Sequence, residues 1–221
     1  MTMNSRNFFP VTLMRKEREY DQVFSFFFQA EEPVEFIPGQ YVHFLAPASG
    51  PSRENVRHLS MASIPAEGEL RFSLDLRSTS DFKRKLAALR PGERAHIFRV
   101  KGDFVLGSPP PAQVVFIAGG LGITPIRGLI RQIVHESLPV DWRLLHAARE
   151  AWLYEAELSD LRGTQLRVRR EGVPEVLDSW TQQWPAARYY LCGSSRFVTG
   201  LRGALASRRV NANLVTVEDF E

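Results

Sequence analysis

The chain has 221 residues, 44% of them apolar and 24% charged, with a formal net charge of +3. That length fits one large domain or two small ones, and so mild a positive charge gives no case for nucleic acid while suiting an acidic protein partner. The single cysteine, Cys192, excludes an intrachain disulfide and a four-cysteine iron–sulfur or zinc site. The five histidines (His43, His58, His96, His135, His146) show no metal-ligand spacing. Residues 1–16 lack the basic start and apolar stretch of a secretory signal, and no apolar run is long enough to span a bilayer. The expectation is a reduced, cytoplasmic protein that engages neither membrane nor nucleic acid.

In chain order, Val23–Gln29 (VFSFFFQ) reads as an aromatic strand and Gln40–Leu45 (QYVHFL) as a second. In Leu70–Leu76 the apolar residues Leu70, Phe72, Leu74 and Leu76 recur with a period of two, which predicts a strand with one buried and one wet face. Arg94–Val100 alternates more loosely. Pro38-Gly39, Pro47–Pro51, Pro65 and Pro91-Gly92 punctuate these runs as turns. One short helix interrupts them, capped at Ser80-Asp81 and striped by Phe82, Leu86 and Leu89. Short strands separated by turns predict a small antiparallel barrel. Gly107–Pro111 (GSPPP) is a stiff linker, so residues 1–107 and 112–221 are expected to be separate domains.

The second half changes rhythm. Val114–Ala118 (VVFIA) is a continuous apolar run, as a central parallel strand requires. A helix over Thr124–Glu136, a strand over Arg143–Ala147, a helix over Trp152–Leu161, a strand over Leu166–Arg169, a strand over Tyr189–Cys192, a helix over Ser195–Ala206 and a strand over Leu214–Val217 follow. Strands alternating with helices predict a doubly wound parallel-sheet α/β domain.

The sharpest local signal, Ala118-Gly119-Gly120-Leu121-Gly122-Ile123-Thr124-Pro125, lies between the first apolar strand and its helix. Glycines let a backbone turn tightly and approach an anion closely, and Pro125 suits a first helical turn. The free N–H groups and the helix dipole make an anion site there, whose natural occupant at the end of a parallel strand is a dinucleotide pyrophosphate. The plainer alternative is a tight turn without a ligand.

This signal does not stand alone. Phe36-Ile37-Pro38-Gly39-Gln40-Tyr41-Val42, Arg57-His58-Leu59-Ser60, Gly102-Asp103-Phe104, the glycine turn and Cys192-Gly193-Ser194 follow one another in that order. So arranged, they resemble the ferredoxin–NADP reductase family over nearly the whole chain, in a compact form without an iron–sulfur domain. The resemblance implies an antiparallel FAD-binding barrel followed by a nicotinamide-binding α/β domain. It also implies a hydride transfer from NAD(P)H to FAD, with electrons passed on to a separate acceptor such as a ferredoxin-like protein or an oxygenase component. A reductase of free flavin or quinone with no protein partner is a second enzymatic reading. A flavin-binding regulatory or electron-transfer subunit without nicotinamide turnover is a reading from another class.

The resemblance assigns Arg57 to the flavin phosphates and the Ser60 hydroxyl to the flavin N5. His58 and Leu59 lie along the flavin; Leu59 stands where the family has a stacking tyrosine, so weaker FAD retention is expected. The second flavin segment maps to Asp75, Leu76, Arg77, Ser80, Phe82 and Lys83, with Asp81 turned to solvent or to the cap. In the α/β domain, Gly119, Gly120, Leu121 and Gly122 take the pyrophosphate and Thr124 lies where the two cofactors meet. Cys192, Gly193 and Ser194 line the nicotinamide pocket, and Glu218 and Phe220 form an acidic–aromatic pair beside the flavin. Ser60, Cys192 and Glu218 are thus the expected catalytic set. Cys192 reads equally well as a small buried hydrophobe, and Glu218–Glu221 as a frayed tail. The choice between NADP and NAD rests on the end of the second α/β strand. There Arg149 favours a 2′-phosphate and the adjacent Glu150 a free ribose hydroxyl, a conflict that tilts slightly toward NADP.

Overall fold

The structure is a computed structural model that describes residues 8–50, 53–78 and 80–220, with the side chain of residue 53 outside the description. The chain divides into two compact units, one ending at Val105 and the other beginning at Leu106. Pro51, at the edge of one expected turn, lies outside the described residues.

The first unit holds six strands, β1 (Phe8–Tyr20), β2 (Val23–Ala30), β3 (Tyr41–Leu45), β4 (Val56–Ser60), β5 (Leu70–Asp75) and β6 (Arg94–Lys101), and one helix, α1 (Asp81–Ala88). All pairings are antiparallel, in the order β4-β3-β6-β1-β2-β5. The sheet curls until its two ends approach. Just past β4, the Ala62 N–H donates to the Arg71 carbonyl of β5 at 2.8 Å. Inside the curl Phe28, Phe44, Phe72 and Phe82 meet edge to face, with centroids 5.3 to 6.1 Å apart, the geometry that aromatic quadrupoles favour. Phe82 and Leu86 of α1 close this core.

Two features depart from expectation. β1 is the longest strand, yet no apolar alternation marks it, because Pro10 and the charged run Arg15–Glu19 interrupt the pattern. Pro10 is tolerated where β2 has ended: its carbonyl accepts from the Glu31 N–H just beyond that strand, and its missing N–H faces the same side, past the last ladder pair. In β5, Leu70, Phe72 and Leu74 enter the core as expected, but Arg71 on the opposite face is buried as well. Its guanidinium bonds Glu19 at 2.7 Å and Ser25 at 3.2 Å and lies 4.9 Å from the Phe27 ring centre. That face is therefore closed locally, not wet.

The second unit holds β7 (Gln113–Gly119), α2 (Ile123–His135), β8 (Asp141–Ala147), α3 (Glu155–Ser159), β9 (Thr164–Val168), α4 (Val173–Gln183), β10 (Arg188–Ser194), α5 (Ser195–Ser207) and β11 (Val215–Phe220). Its sheet is parallel throughout, ordered β11-β10-β7-β8-β9. The direction of winding reverses between β7 and β10, which is where open α/β sheets bind ligands.

The helix expected over Trp152–Leu161 shrinks to α3. Tyr154 has a left-handed backbone (φ 63) that a right-handed helix cannot include, and the Trp152 indole N–H is committed to the His146 carbonyl at 3.0 Å. α4 is an unexpected helix. Gly172 and Pro174 suggest a loop, yet a proline in the first turn sacrifices no intrahelical bond, and Val173, Leu177 and Trp180 provide the buried stripe. β11 runs to Phe220, with Cys192 opposite Glu218 and Ser194 opposite Phe220. Glu218–Phe220, read alternatively as part of a frayed tail, is a paired strand, and Glu221 lies outside the described residues.

Candidate functional site

In the α/β unit the glycine turn joins β7 to α2 at the point where the winding reverses. A side chain at Gly122 would place its Cβ 2.1 Å from the Cys192 carbonyl oxygen, so only glycine lets the turn lie against the end of β10. Gly120 adopts φ 55, and a Cβ there would meet nothing within 4 Å: the turn is pressed to the protein on one side and open on the other. Thr124, in the first turn of α2, is buried and donates from Oγ1 to the Leu121 carbonyl at 2.8 Å. Gly119 and Gly193 face one another beneath the Phe197 ring, whose Cδ1 would lie 2.5 Å from a Cβ at Gly119.

The same end of the sheet collects the other expected residues of this unit. Cys192 is fully buried, and burial, reinforced by the charge of Glu218, pushes its thiol well up from the ordinary range; the sulfur is a neutral packing surface. Glu218 and Phe220 are half-buried on the neighbouring strand, and Ser194 is exposed. Arg149 and Glu150 follow β8 and are both exposed. Arg167 is engaged elsewhere, bonding the Ser159 hydroxyl at 2.7 Å and pairing with Glu155 at 3.2 Å.

Of three further polar residues in this unit, one bonds the turn directly. His146 of β8 is buried with Nε2 3.0 Å from the Gly120 carbonyl oxygen. Burial drives its pKa down to about 4, against the opposing pull of the Gly120 carbonyl. Arg127 of α2 is buried, its Nε donating to Glu157 of α3 at 3.0 Å and its guanidinium facing the Tyr154 ring at 5.6 Å. Arg170, beyond β9, stands 5.7 Å from the centre of Phe197. A polar side chain inside an apolar strand or helix face is the signal that could have found the first two.

In the barrel unit the candidate set gathers between β4 and the start of α1. Arg57 is exposed; its Nη1 donates to the carbonyls of Val56 (2.7 Å) and Glu54 (3.1 Å), and its guanidinium lies 5.6 Å from the Phe82 ring centre. Ser80 caps α1, its hydroxyl accepting from Lys83 N–H at 3.4 Å. Asp81 is exposed and held by Arg84 (3.1 Å) and Lys85 (2.8 Å), which together keep its carboxyl below the usual range. Lys85 also donates to Ser49 at 2.8 Å. Burial works to raise the Asp75 carboxyl, but the Arg77 guanidinium at 2.6 Å outweighs it and holds it low, helped by the nearby charge of Lys83. Leu76 is half-buried against the core.

The β4 side chains divide by face. Leu59 packs against the core and Arg57 shares its side of the strand. His58 lies on the other side, stacked 5.0 Å from Tyr41 and 4.3 Å from His43. His58 therefore does not stand beside Leu59, where the family's tyrosine would be. Ser60 ends the strand, buried and opposite Tyr41.

Both sets fit the groups that the sequence suggests. A guanidinium beside a helix start suits a flavin diphosphate, and an open glycine turn at the switch point suits a dinucleotide. Residues 116–184 match the family model described as the oxidoreductase NAD-binding domain. The flavohemoprotein of Bacillus subtilis (strain 168) is 24% identical over 217 residues, covering 87% of this chain and 54% of that protein. Methane monooxygenase component C of Methylosinus trichosporium is 33% identical over 129 residues, covering 57% of this chain and 37% of its own. The chain thus spans about half the length of the first of these relatives, and a smaller share of the second. Among solved structures, the ferredoxin-NADP+ reductase of Plasmodium falciparum superposes with a TM-score of 0.83 at 13% identity, covering 99% of this chain and 98% of that one. A curled antiparallel sheet followed by a doubly wound α/β unit is the fold that this chain shares with that reductase, and the family model places an oxidoreductase NAD-binding domain in the second unit. In fold and in the order of its motifs, the chain is similar to the ferredoxin–NADP reductase family.

Proposed function

We propose that this chain oxidises NAD(P)H with a bound FAD and delivers the electrons to a separate acceptor, a ferredoxin-like protein or an oxygenase component. The observation that carries the reading is the glycine turn at the switch point, pressed against Cys192 on one side and open over Gly120 on the other. FAD, when bound, takes up a hydride from the nicotinamide and releases its electrons onward. Residues 1–107 form the FAD domain and 112–221 the NAD(P) domain. Arg57, Lys83 and the α1 N-terminus hold the flavin diphosphate, with Asp75, Leu76, Arg77 and Phe82 shaping that site and the Ser60 hydroxyl directed to the ring. Gly119–Gly122 and the start of α2 hold the pyrophosphate of the nicotinamide dinucleotide. Thr124, Cys192, Gly193 and Ser194 shape the nicotinamide site, and the neutral Cys192 thiol serves as packing surface. Glu218 and Phe220 complete the catalytic region from β11.

The relationship to methane monooxygenase component C supports an oxygenase-type acceptor. Exposed Arg84, Arg90, Arg99 and Lys101 suit an acidic one, and a cytoplasmic setting fits the single cysteine. The direct test is anaerobic addition of NADPH or NADH to the purified protein loaded with FAD. The yellow absorbance is expected to bleach and to return with an acceptor. A protein that binds FAD but is not bleached by either dinucleotide is an electron-transfer subunit, not a reductase.

A further inference from the structure

We infer that His146 is a positioning residue for dinucleotide binding, its imidazole N–H orienting the Gly120–Leu121 peptide on the open side of the glycine turn. The inference rests on the reading of the α/β unit as the dinucleotide site. His146 stands near the end of β8, beside Ala118 of β7, is 3% exposed, and has its Nε2 3.0 Å from the Gly120 carbonyl oxygen. A carbonyl only accepts, so Nε2 carries the proton and donates. In a planar trans peptide the C=O and the following N–H point in opposite directions. With the Gly120 carbonyl drawn inward onto His146, the Leu121 N–H points away from it, toward the side where a Cβ on Gly120 would meet nothing. That N–H is the donor a pyrophosphate oxygen needs.

Gly120, at φ 55, has no side chain to hold this orientation. Within the turn the Ile123 N–H reaches the Gly120 carbonyl, and His146 adds a second restraint from across the sheet. His146 is itself anchored, its carbonyl accepting the Trp152 indole N–H at 3.0 Å. Because the pyrophosphate is common to NADPH and NADH, a loosened turn weakens both equally. That separates His146 from Arg149, whose effect belongs to the 2′-position.

The test titrates NADP+ and NAD+ into the FAD-loaded protein and into two variants. His146→Leu keeps the buried volume without an N–H; His146→Gln carries an amide N–H at the reach of Nε2. The Leu variant is expected to lose about threefold to tenfold in affinity, by the same factor for both dinucleotides, the worth of one hydrogen bond. Its flavin content and its rate at saturating NADPH stay at the wild-type level. The Gln variant is expected within about twofold of wild type, since the amide restores the bond. If the Leu variant does not fold, His146→Asn replaces it, its shorter amide being unable to reach Gly120. Wild-type affinity in the variants that lack the bond overturns the proposal. So does a Gln variant as weak as Leu, which would assign the effect to ring packing. A wild-type protein that binds FAD but neither dinucleotide overturns the underlying reading, and this inference with it.

Discussion

Arg57 and Arg149 both present charge to solvent, and they should answer differently to truncation. Arg57 is pre-organised: two carbonyls hold its Nη1 and Phe82 lies under its plane. Arg57→Ala removes a charge-assisted hydrogen bond worth roughly 1.5–3 kcal/mol, so FAD affinity should fall on the order of tenfold to a hundredfold with the fold intact. Flavin titration of the apoprotein measures this, and an unchanged affinity would remove Arg57 from the site. Arg149, exposed and followed by the exposed Glu150, should confer a small preference for NADPH. Arg149→Ala should raise the KM for NADPH at low, fixed ionic strength and leave NADH nearly untouched. Equal losses with both would place Arg149 on the shared part of the dinucleotide.

His146 makes a prediction about pH. Its folded-state pKa of about 4 lies below the ordinary value of 6.5. Between these values the unfolded chain binds a proton that the folded chain refuses. Its contribution is therefore complete above pH 6.5 and fades as pH falls toward 4, by about 3 kcal/mol in total. Urea melts across that range should show a shallower decline for His146→Gln than for wild type. The glycine turn was legible because glycines between an apolar strand and a helix imply an anion site, and Arg57 and Ser60 were marked by the resemblance to the family. His146 was not, because its role depends on the carbonyl that β8 brings it beneath.

At the scale of elements, the β7–turn–α2 unit is the least tolerant. Gly122→Ala puts a methyl 2.1 Å from the Cys192 carbonyl oxygen, a backbone atom that cannot swing aside. The turn must lift from β10, so dinucleotide binding should be lost and the melting temperature reduced, by overpacking of about 1–3 kcal/mol. Retained NADP+ affinity in a stable Gly122→Ala protein would contradict the close approach. In the barrel unit, β1, β2 and β5 are cross-linked by Glu19, Ser25 and Arg71. Glu19→Ala removes the carboxylate partner of a buried guanidinium and should cost about 3 kcal/mol, read from the urea midpoint, without changing the affinity for nicotinamide. The alternating β5 and the aromatic-rich β2 and β3 were readable from sequence. β1 was not, since its pairing on both sides comes from its neighbours and overrides the local pattern.

At the scale of the molecule, the two units carry separate halves of one proposed reaction, a flavin site in the first and a dinucleotide site in the second. No helix among the described residues is long and apolar enough to cross a membrane. If an acidic protein accepts the electrons, its reduction rate should fall with added salt while reduction of the flavin by NADPH stays nearly constant, because salt screens the encounter of charged surfaces. Equal salt sensitivity of both steps would argue for a small-molecule acceptor.

What the sequence by itself determined is whatever depends on local order. The change from period-two strands to apolar runs and helices separated two units. The glycine turn after VVFIA marked an anion site, and motifs in a set order pointed to the family. Only the tertiary structure decided what depends on contacts between distant segments. It paired Glu218–Phe220 with β10, buried Arg71 among Glu19, Ser25 and Phe27, and turned His58 to Tyr41 and away from Leu59. It also set His146 under Gly120. In each case a side chain's partner lies on another strand or helix, and that partner, not the residue's own neighbours in sequence, determines whether it is exposed, buried or bonded.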